Sequence, residues 1–348
     1  MSTGRRWLII VAVSLIALGA TVVAALYAWA QYQQRQTAAS SVQTTVDQPR
    51  GDRIVFRSTA SGQGYGHVAS VPSDDPSAAR AVLDIVCDRV AASADALSCL
   101  RTVRGITPTY TATIYEAASL RETMSWPLPG VPSRTRFSPD GSLVATTAFV
   151  TGHAYASAGF STQTEIHRTN ADADADADAA SLGDLEDWSL VLDGRPSAPS
   201  DRNYWGVTFV DDRTFYATVA MTTTGRTYLV RGDIAAQTLT SVIDTVECPS
   251  LSPDGTRIAF KRVTRGAGPT AHWTPAVYDI ASGAVDVLDV EARSIDDQIA
   301  WLDDETLLYG MPNEQPGDSD LWALDADGDT AARLQIQHAW SPSVVKER

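Results

Sequence analysis

Histidine side chains are the first candidates for chemistry in this sequence, because imidazole serves both as a metal ligand and as an acid–base catalyst near neutral pH. The histidines share no position in any repeated motif, and none has the spacing of a zinc site such as H-x-E-x-H. His67, after the glycine-rich SGQGYG, and His272, before Trp273, are expected either in solvated loops or at a channel mouth. The sequence therefore predicts no catalytic residue, no metal site and no cofactor. The five histidines are His67, His153, His167, His272 and His338.

Motifs for nucleophilic catalysis or nucleotide binding lead to the same expectation. The sequence contains no G-x-S-x-G element, in which a serine nucleophile would sit on a sharp turn. The SGQGYG segment is a single glycine-rich loop without a helix after it, so a phosphate or dinucleotide site is not expected.

An acidic run, ADADADADAASLGDLED at Ala171–Asp187, offers carboxylate oxygens of the kind that bind calcium. It lacks the glycine and the ligand spacing of an organised calcium loop. Aspartates on one face of a strand would repel one another, and alanine buries little surface. The run is predicted to be a solvated loop insertion at about 170–187.

Aromatic residues could serve packing or binding. Tyr204 and Trp205 follow a loop rich in Pro, Ser and Asp, and Trp273 lies between turn residues. Aromatic side chains fill the space between packed sheets, whereas exposed ones anchor protein partners. Packing between blades is the expected first role of these three residues, and they are also the candidates for a partner-binding rim.

The N-terminal segment Leu8–Ala28 contains 21 residues without a charge. As a helix it would span roughly 31 Å, which matches the hydrocarbon core of a bilayer. Trp7 and Trp29 flank it as interface anchors, and Arg5 and Arg6 favour a cytoplasmic N-terminus. The sequence predicts a single-pass membrane anchor with the rest of the chain outside the cytoplasm.

A cleaved signal peptide is the alternative, because Ala28-Trp29-Ala30 fits an A-x-A cleavage site. Its usual apolar region is only about 7–15 residues long, which favours a retained anchor. The predicted organisation is a cytoplasmic flank at 1–6, a transmembrane helix at 7–29, a flexible stalk at 30–49 and a folded body at 50–348.

The net charge of the chain is −15. Proteins that bind nucleic acid neutralise phosphates with clusters of Lys and Arg, and no basic stripe occurs here. Nucleic acid is therefore not an expected partner.

Internal repeats predict the fold of the body. Four segments contain an apolar residue, a turn with Pro-Asp-Gly or Asp-Asp, and a strand pattern, which is the signature of a β-hairpin. Together with two weaker copies near Arg50 and Asp95, they give a period of roughly 40 to 50 residues, typical of four-stranded propeller blades. The sequence predicts an all-β, six-bladed propeller. The turn aspartates are Asp95, Asp140, Asp212, Asp254 and Asp304.

The segments SPDGSLVAT and SPDGTRIAF resemble the repeats of TolB-like six-bladed propellers. The order of anchor, stalk and propeller resembles the actinobacterial membrane-anchored TolB-like translocation proteins. This resemblance covers the chain from about Arg50 onward and implies binding of a partner protein or peptide. The propeller fold alone hosts both enzymes and binding proteins.

Two functions are therefore considered. The first is a noncatalytic binding or scaffolding module of the cell envelope that presents its channel mouth or rim to a protein or peptide. The second is a propeller enzyme, a lyase or glycan-active hydrolase, with a site in the central funnel. Convergence of carboxylates, histidines or a metal at one end of the channel would distinguish the enzyme.

Two covalent and topological features are also predicted. Cys87 and Cys99 flank the first turn of blade 2, so antiparallel pairing should bring them together as a disulfide in an exported protein, and Cys248 should remain a buried thiol. The C-terminal His338–Val345 should return to pair beside Ile54–Phe56, because its sequence supplies the half-motif that the N-terminal repeat lacks.

Overall fold

A computed structural model describes residues 3–37, 40, 42–105, 107–152, 155, 159–169, 180–221 and 223–347. The chain folds as two units, one that holds the N-terminal helix and one that contains the propeller. Helix α1 comprises Thr3–Thr37. Within it, Gly4–Ala30 has 27 residues and is long and apolar enough to cross a membrane, with a mean hydropathy of 2.7 in its most apolar 18-residue window. A signal sequence would have the same property.

The propeller consists of six sheets, the blades, numbered in chain order. Blades 1 and 2 contain β1 (Thr44–Thr45), β2 (Arg53–Ser58), β3 (His67–Pro72), β4 (Arg80–Val86), β5 (Arg89–Ala92), β6 (Ala96–Val103), β7 (Thr109–Glu116) and β8 (Glu122–Leu128). Blades 3 and 4 contain β9 (Val131–Phe137), β10 (Leu143–Thr151), β11 (Ser161–Arg168), β12 (Ser181–Asp184), β13 (Ser189–Leu192), β14 (Arg195–Ser197), β15 (Arg202–Phe209), β16 (Thr214–Met221), β17 (Arg226–Asp233) and β18 (Thr238–Asp244). Blades 5 and 6 contain β19 (Glu247–Leu251), β20 (Arg257–Arg265), β21 (His272–Asp279), β22 (Val285–Val287), β23 (Ala300–Trp301), β24 (Thr306–Pro312), β25 (Ser319–Asp325) and β26 (Arg333–Ile336), and β27 (Ala339–Val345) returns to blade 1.

The repeated turns lie between the first two strands of their blades, as the sequence predicts. The Ser-Pro-Asp-Gly segments join β9 to β10 and β19 to β20. Gly141 and Gly255 have φ values of 76° and 74°, a conformation that glycine adopts without a steric penalty. These turns fix the register of the hairpins that form the inner half of each blade.

Hydrophobic clusters fill the spaces between neighbouring blades. Ile54 of blade 1 packs with Leu308 of blade 6, and Leu100 of blade 2 packs with Val144 of blade 3. Equivalent clusters lie between the other pairs of neighbouring blades. Burial of these apolar faces on both sides of every blade is what makes the sheets stack around a common axis.

The predicted ring closure is confirmed. Strand β27 pairs antiparallel with β2, and Ile54 lies opposite Val344. The ring of Trp340 packs directly on Gly310 of blade 6, where an added Cβ would lie 2.4 Å from the indole. The inner strand of blade 1 is therefore supplied by the C-terminal end of the chain.

The predicted stalk at 30–49 is corrected at both ends. Helix α1 continues to Thr37, because Ala, Gln and Arg are good helix formers and extending an existing helix needs no new nucleus. Strand β1 pairs parallel with β4 and adds a fifth strand to blade 1.

The predicted acidic insertion is also corrected. Residues 170–179 lie outside the described residues, but 181–187 are packed rather than looped. Strand β12 is the outer strand of blade 3, and the following 3₁₀ helix Leu185–Asp187 buries Leu185 completely. The hairpin of β13 and β14 then extends blade 4 to six strands through parallel pairing of β13 with β18.

Candidate functional site

The innermost strand of every blade lines a cavity of about 590 Å³ at the centre of the ring. This volume falls within the usual range for ligand sites. The mouth on the side of the first hairpin turns includes Ser93, Pro139 and Pro253. Six separate segments of the chain therefore converge on one space.

Serine and threonine side chains connect neighbouring inner strands where the strands diverge. The amides of Val90 and Ala92 donate to the hydroxyls of Ser341 and Ser343, at 3.2 and 2.9 Å. The amide of Leu251 donates in the same way to Thr208 Oγ1, at 3.0 Å. These bonds satisfy backbone groups that have no neighbouring strand to pair with, and they hold the cavity wall in place.

Arg136 crosses the cavity from blade 3. Its Nη1 donates to Ser250 Oγ at 2.7 Å and to Thr208 Oγ1 at 3.3 Å, and its Nη2 donates to the carbonyl of Ile299 at 3.2 Å. One guanidinium thus connects blades 3, 4, 5 and 6. Burial lowers its pKa to about 10, so the side chain remains a cation at neutral pH.

Two further arginines lie in the same wall. Arg89 Nη1 is 3.7 Å from Asp297 Oδ1, and its guanidinium lies over the Trp340 ring at 5.2 Å. Arg134 is 6% exposed, and its Nη1 donates to the carbonyl of Ser133 at 2.9 Å. Burial, and then the neighbouring charge of Arg134, lower the pKa of Arg89 to about 10.

A buried lysine forms a second polar cluster. Lys261 is fully buried, with Nζ 2.5 Å from Asp296 Oδ1, 3.8 Å from Glu247 Oε2 and 4.4 Å from the centre of the Trp273 ring. Against the effect of burial, the Lys261 ammonium holds the pKa of Asp296 below its usual range. Burial raises the pKa of Glu247, although the same ammonium opposes this.

The three aromatic candidates for a partner-binding rim are buried, which agrees with the expected packing role and not with an exposed rim. Tyr204, Trp205 and Trp273 are 0%, 1% and 6% exposed. Tyr204 packs between blades 3 and 4, and the Trp205 ring stacks on Tyr155 with centroids 4.5 Å apart. Trp273 Nε1 donates to Glu247 Oε1. They hold the wall in place and do not form an exposed rim, because the flanking strands turn them into the spaces between blades.

The turn aspartates follow the repeat with local shifts. Asp140 and Asp254 accept the amides of Ser142 and Thr256, as expected of turn residues. In blades 4 and 6 the preceding aspartates, Asp211 and Asp303, take this role.

The other turn residues have different contacts. Asp212 lies 3.7 Å from its neighbour Arg213, and Asp304 accepts the amide of Asp254 from the turn of blade 5. In blade 2, Ser93 accepts the turn amide of Ala96, and the carbonyl of Asp95 accepts the amide of Ala117.

The predicted disulfide is confirmed. Cys87 and Cys99 are joined, with their Cα atoms 5.4 Å apart. Cys99 lies on β6, and Cys87 lies in the connection just before β5. Cys248 is fully buried and free, also as predicted.

The histidines lie at separate places in the propeller, and His153 is outside the described residues. His338 Nδ1 is 2.7 Å from Asp318 Oδ2, and Thr59 donates to the other oxygen of that carboxylate. This network joins blades 1 and 6 at the ring closure. His167 is buried against Trp126 in the wall between blades 2 and 3. Among the described residues, no group of three or more His, Cys, Asp or Glu side chains could hold a metal ion.

Sequence reasoning missed the arginines of the cavity. A signal was present in VPSRTRFSPDG, because Arg134 and Arg136 are two residues apart on the strand that precedes a blade turn. Residues i and i+2 of a strand share a face, so both guanidinium groups extend to the same side.

Comparison with known proteins supports the architecture. Neither a family model nor a curated protein sequence matches this chain. The structure is similar to the crystal structure of TolB from Acinetobacter baumannii, with a TM-score of 0.56 and 16% identity over 85% of this chain and 67% of that one. A puromycin-hydrolyzing peptidase from Mycobacterium tuberculosis has a TM-score of 0.48 and 14% identity over 84% of this chain, which spans 44% of the peptidase. The second similarity is too weak to carry an argument. The chain has the fold of the TolB-like six-bladed β-propellers.

Proposed function

We propose that this protein is a noncatalytic binding module of the cell envelope. Its propeller receives a segment of a partner protein or a peptide at the mouth of the central cavity. Helix α1 anchors it in the membrane with the N-terminus in the cytoplasm and the propeller outside.

The observation that carries this proposal is the preformed central cavity. Its wall is fixed by hydrogen bonds between blades. The single side chain of Arg136 donates hydrogen bonds to groups of three other blades. A preformed cavity loses little conformational entropy of the protein on binding, which favours recognition of a ligand.

Two observations support the location. The Cys87–Cys99 disulfide fits an oxidising compartment, because thiols stay reduced in the cytosol. Arg5 and Arg6 precede the apolar part of α1, as expected for an end that stays inside.

An enzyme remains the second candidate, and the cluster around Lys261 is the observation that favours it. A fully buried lysine beside Glu247, whose pKa is raised by burial, is the kind of arrangement that acid–base chemistry uses. Glu247 and Asp296 pair with the Lys261 ammonium, and a purely structural ion pair would have the same contacts.

Site-specific photo-cross-linking in cells tests the binding function. A photoreactive amino acid replaces Pro253 at the cavity mouth or, as a control, Val287 on the outer strand of the same blade; both positions are exposed. The proposal predicts one dominant protein or peptide product from position 253 and none from position 287. No product at position 253, or the same products at both positions, would contradict it.

A further inference from the structure

The guanidinium of Arg134 is buried without a full set of hydrogen-bond acceptors. Its side chain lines the central cavity and is 6% exposed. Within the part of the chain that the structure describes, Nη1 donates to the carbonyl of Ser133 and the guanidinium lies over the Tyr155 ring at 5.4 Å, but Nε has no acceptor. An incompletely paired buried cation is costly, and it is the arrangement expected where a bound ligand completes the pairing.

The neighbouring cations make this position more favourable for an anion. Arg89 and Arg136 line the same cavity, and the charge of Arg134 contributes to lowering the pKa of both. Three guanidinium groups held this close repel one another, and the carboxylates of Asp297 and Asp296 offset part of that repulsion.

The acidic residues near these arginines already have partners. Asp297 faces Arg89 through Oδ1 and accepts the amide of Gly310 through Oδ2, at 3.0 Å. Asp296 pairs with Lys261. The charged residues in the cavity lining are four cations and two acids, inside a chain whose net charge is −15. They are Arg89, Arg134, Arg136, Lys346, Asp254 and Asp297.

We propose that the central cavity binds a carboxylate, which Arg134 holds as principal ligand with Arg89 beside it. This inference rests on the proposed binding function and names the chemistry of its ligand. A guanidinium presents parallel N–H groups that match the two oxygens of a carboxylate. Arg136 is committed to the wall through its three hydrogen bonds and contributes charge rather than direct contact. The carboxylate belongs either to a peptide or to a small free acid, and the experiment separates these sources.

The test measures the melting temperature of the full chain in detergent with defined probes. The probes are glutarate, its neutral diamide, sodium chloride at equal ionic strength, and the peptide Gly-Ser-Gly-Ser-Gly as free acid or as C-terminal amide. Glutarate or the free-acid peptide should raise the melting temperature by several degrees beyond chloride, because a ligand that binds only the folded state stabilises it. The diamide and the amide should not.

Variants assign the effect to Arg134. Arg134→Gln should weaken carboxylate binding at least tenfold, and Arg134→Lys should restore only part of it, since lysine keeps the charge without the planar fork. Arg101→Gln removes one charge from an exposed position on β6 and should bind as the wild type does. If Arg134→Gln does not fold, modification of wild-type Arg134 by phenylglyoxal, followed by mass spectrometry, gives a second readout. Glutarate should protect it.

The outcomes separate this inference from the proposed function. Equal effects of glutarate, diamide and chloride, together with no stabilisation by the free-acid peptide, would overturn the carboxylate site. Full binding by Arg134→Gln would also overturn it. A cross-link at position 253 without any effect of carboxylates would support the binding function and contradict the carboxylate site. Carboxylate binding without a cross-linked partner would instead identify a site for a small acid.

Discussion

At the scale of single residues, burial changes the protonation state of a histidine that packs between blades 2 and 3. His167 is 2% exposed and stacks on Trp126 with ring centroids 4.1 Å apart. Burial lowers its pKa to about 4, and the carboxylate of Glu165 lies 3.6 Å from Nε2. The folded protein therefore holds this imidazole neutral where an unfolded chain would protonate it.

Stability should fall in mild acid because of His167. Its folded pKa lies below the unfolded value of about 6.5, so the contribution is complete above pH 6.5 and is lost as pH falls toward 4. At pH 5 the loss should be about 2 kcal/mol of unfolding free energy. His167→Gln, which is neutral throughout, should flatten this part of the profile. Urea denaturation at a series of pH values measures it, and an unchanged slope in the variant would contradict the assignment.

At the scale of elements, the sequence predicts hairpins better than outer strands. The conformation of an SPDG turn is determined by its own residues, because Pro, Asp and Gly each have one role in the turn. The outer strand β12 lies in Ser-Leu-Gly-Asp at the end of an alanine and aspartate run, where only the burial of Leu185 by neighbouring blades reveals that the segment packs. The cavity site could not be predicted from the sequence, because it too depends on contacts between distant segments. Arg89, Arg134 and Asp297 come from distant stretches of the chain, and only the closed ring brings them together.

The closing strand gives the prediction that belongs to this scale. Truncation before Gln337 removes β27 and the indole that packs on Gly310, so it should abolish the folded, protease-resistant propeller. Truncation after Val345 keeps every paired residue of β27 and serves as the control. Limited proteolysis and thermal melting measure both. Equal resistance of the two truncated chains would show that the ring closes without β27.

At the scale of the whole molecule, the proposed membrane anchor and its proposed orientation can be tested with the cysteines already present. Cys87 and Cys99 are joined and Cys248 is buried, so the folded wild type should show little labelling by a thiol reagent. A cysteine replacing Ser40 should react with a membrane-impermeant maleimide on intact cells. One replacing Gly4 should react only after permeabilisation, and the purified chain should retain its first 30 residues. The reverse labelling pattern would contradict the orientation, and loss of those residues would identify a cleaved signal.

Because β27 pairs with β2, the ring can close only after the C-terminal end of the chain has been synthesised. At about 5–20 residues per second, the stretch between these partners takes on the order of 15 to 60 s to make, and throughout that time β2 has no inner neighbour. An unpaired strand edge is a template for aggregation, so the nascent chain needs protection until Val345 emerges. The same delay suits the proposed export of the propeller, because a ring that cannot close early can still pass through a membrane as an extended chain. We expect a chain that lacks β27 to keep this open edge and to be degraded faster than the full chain.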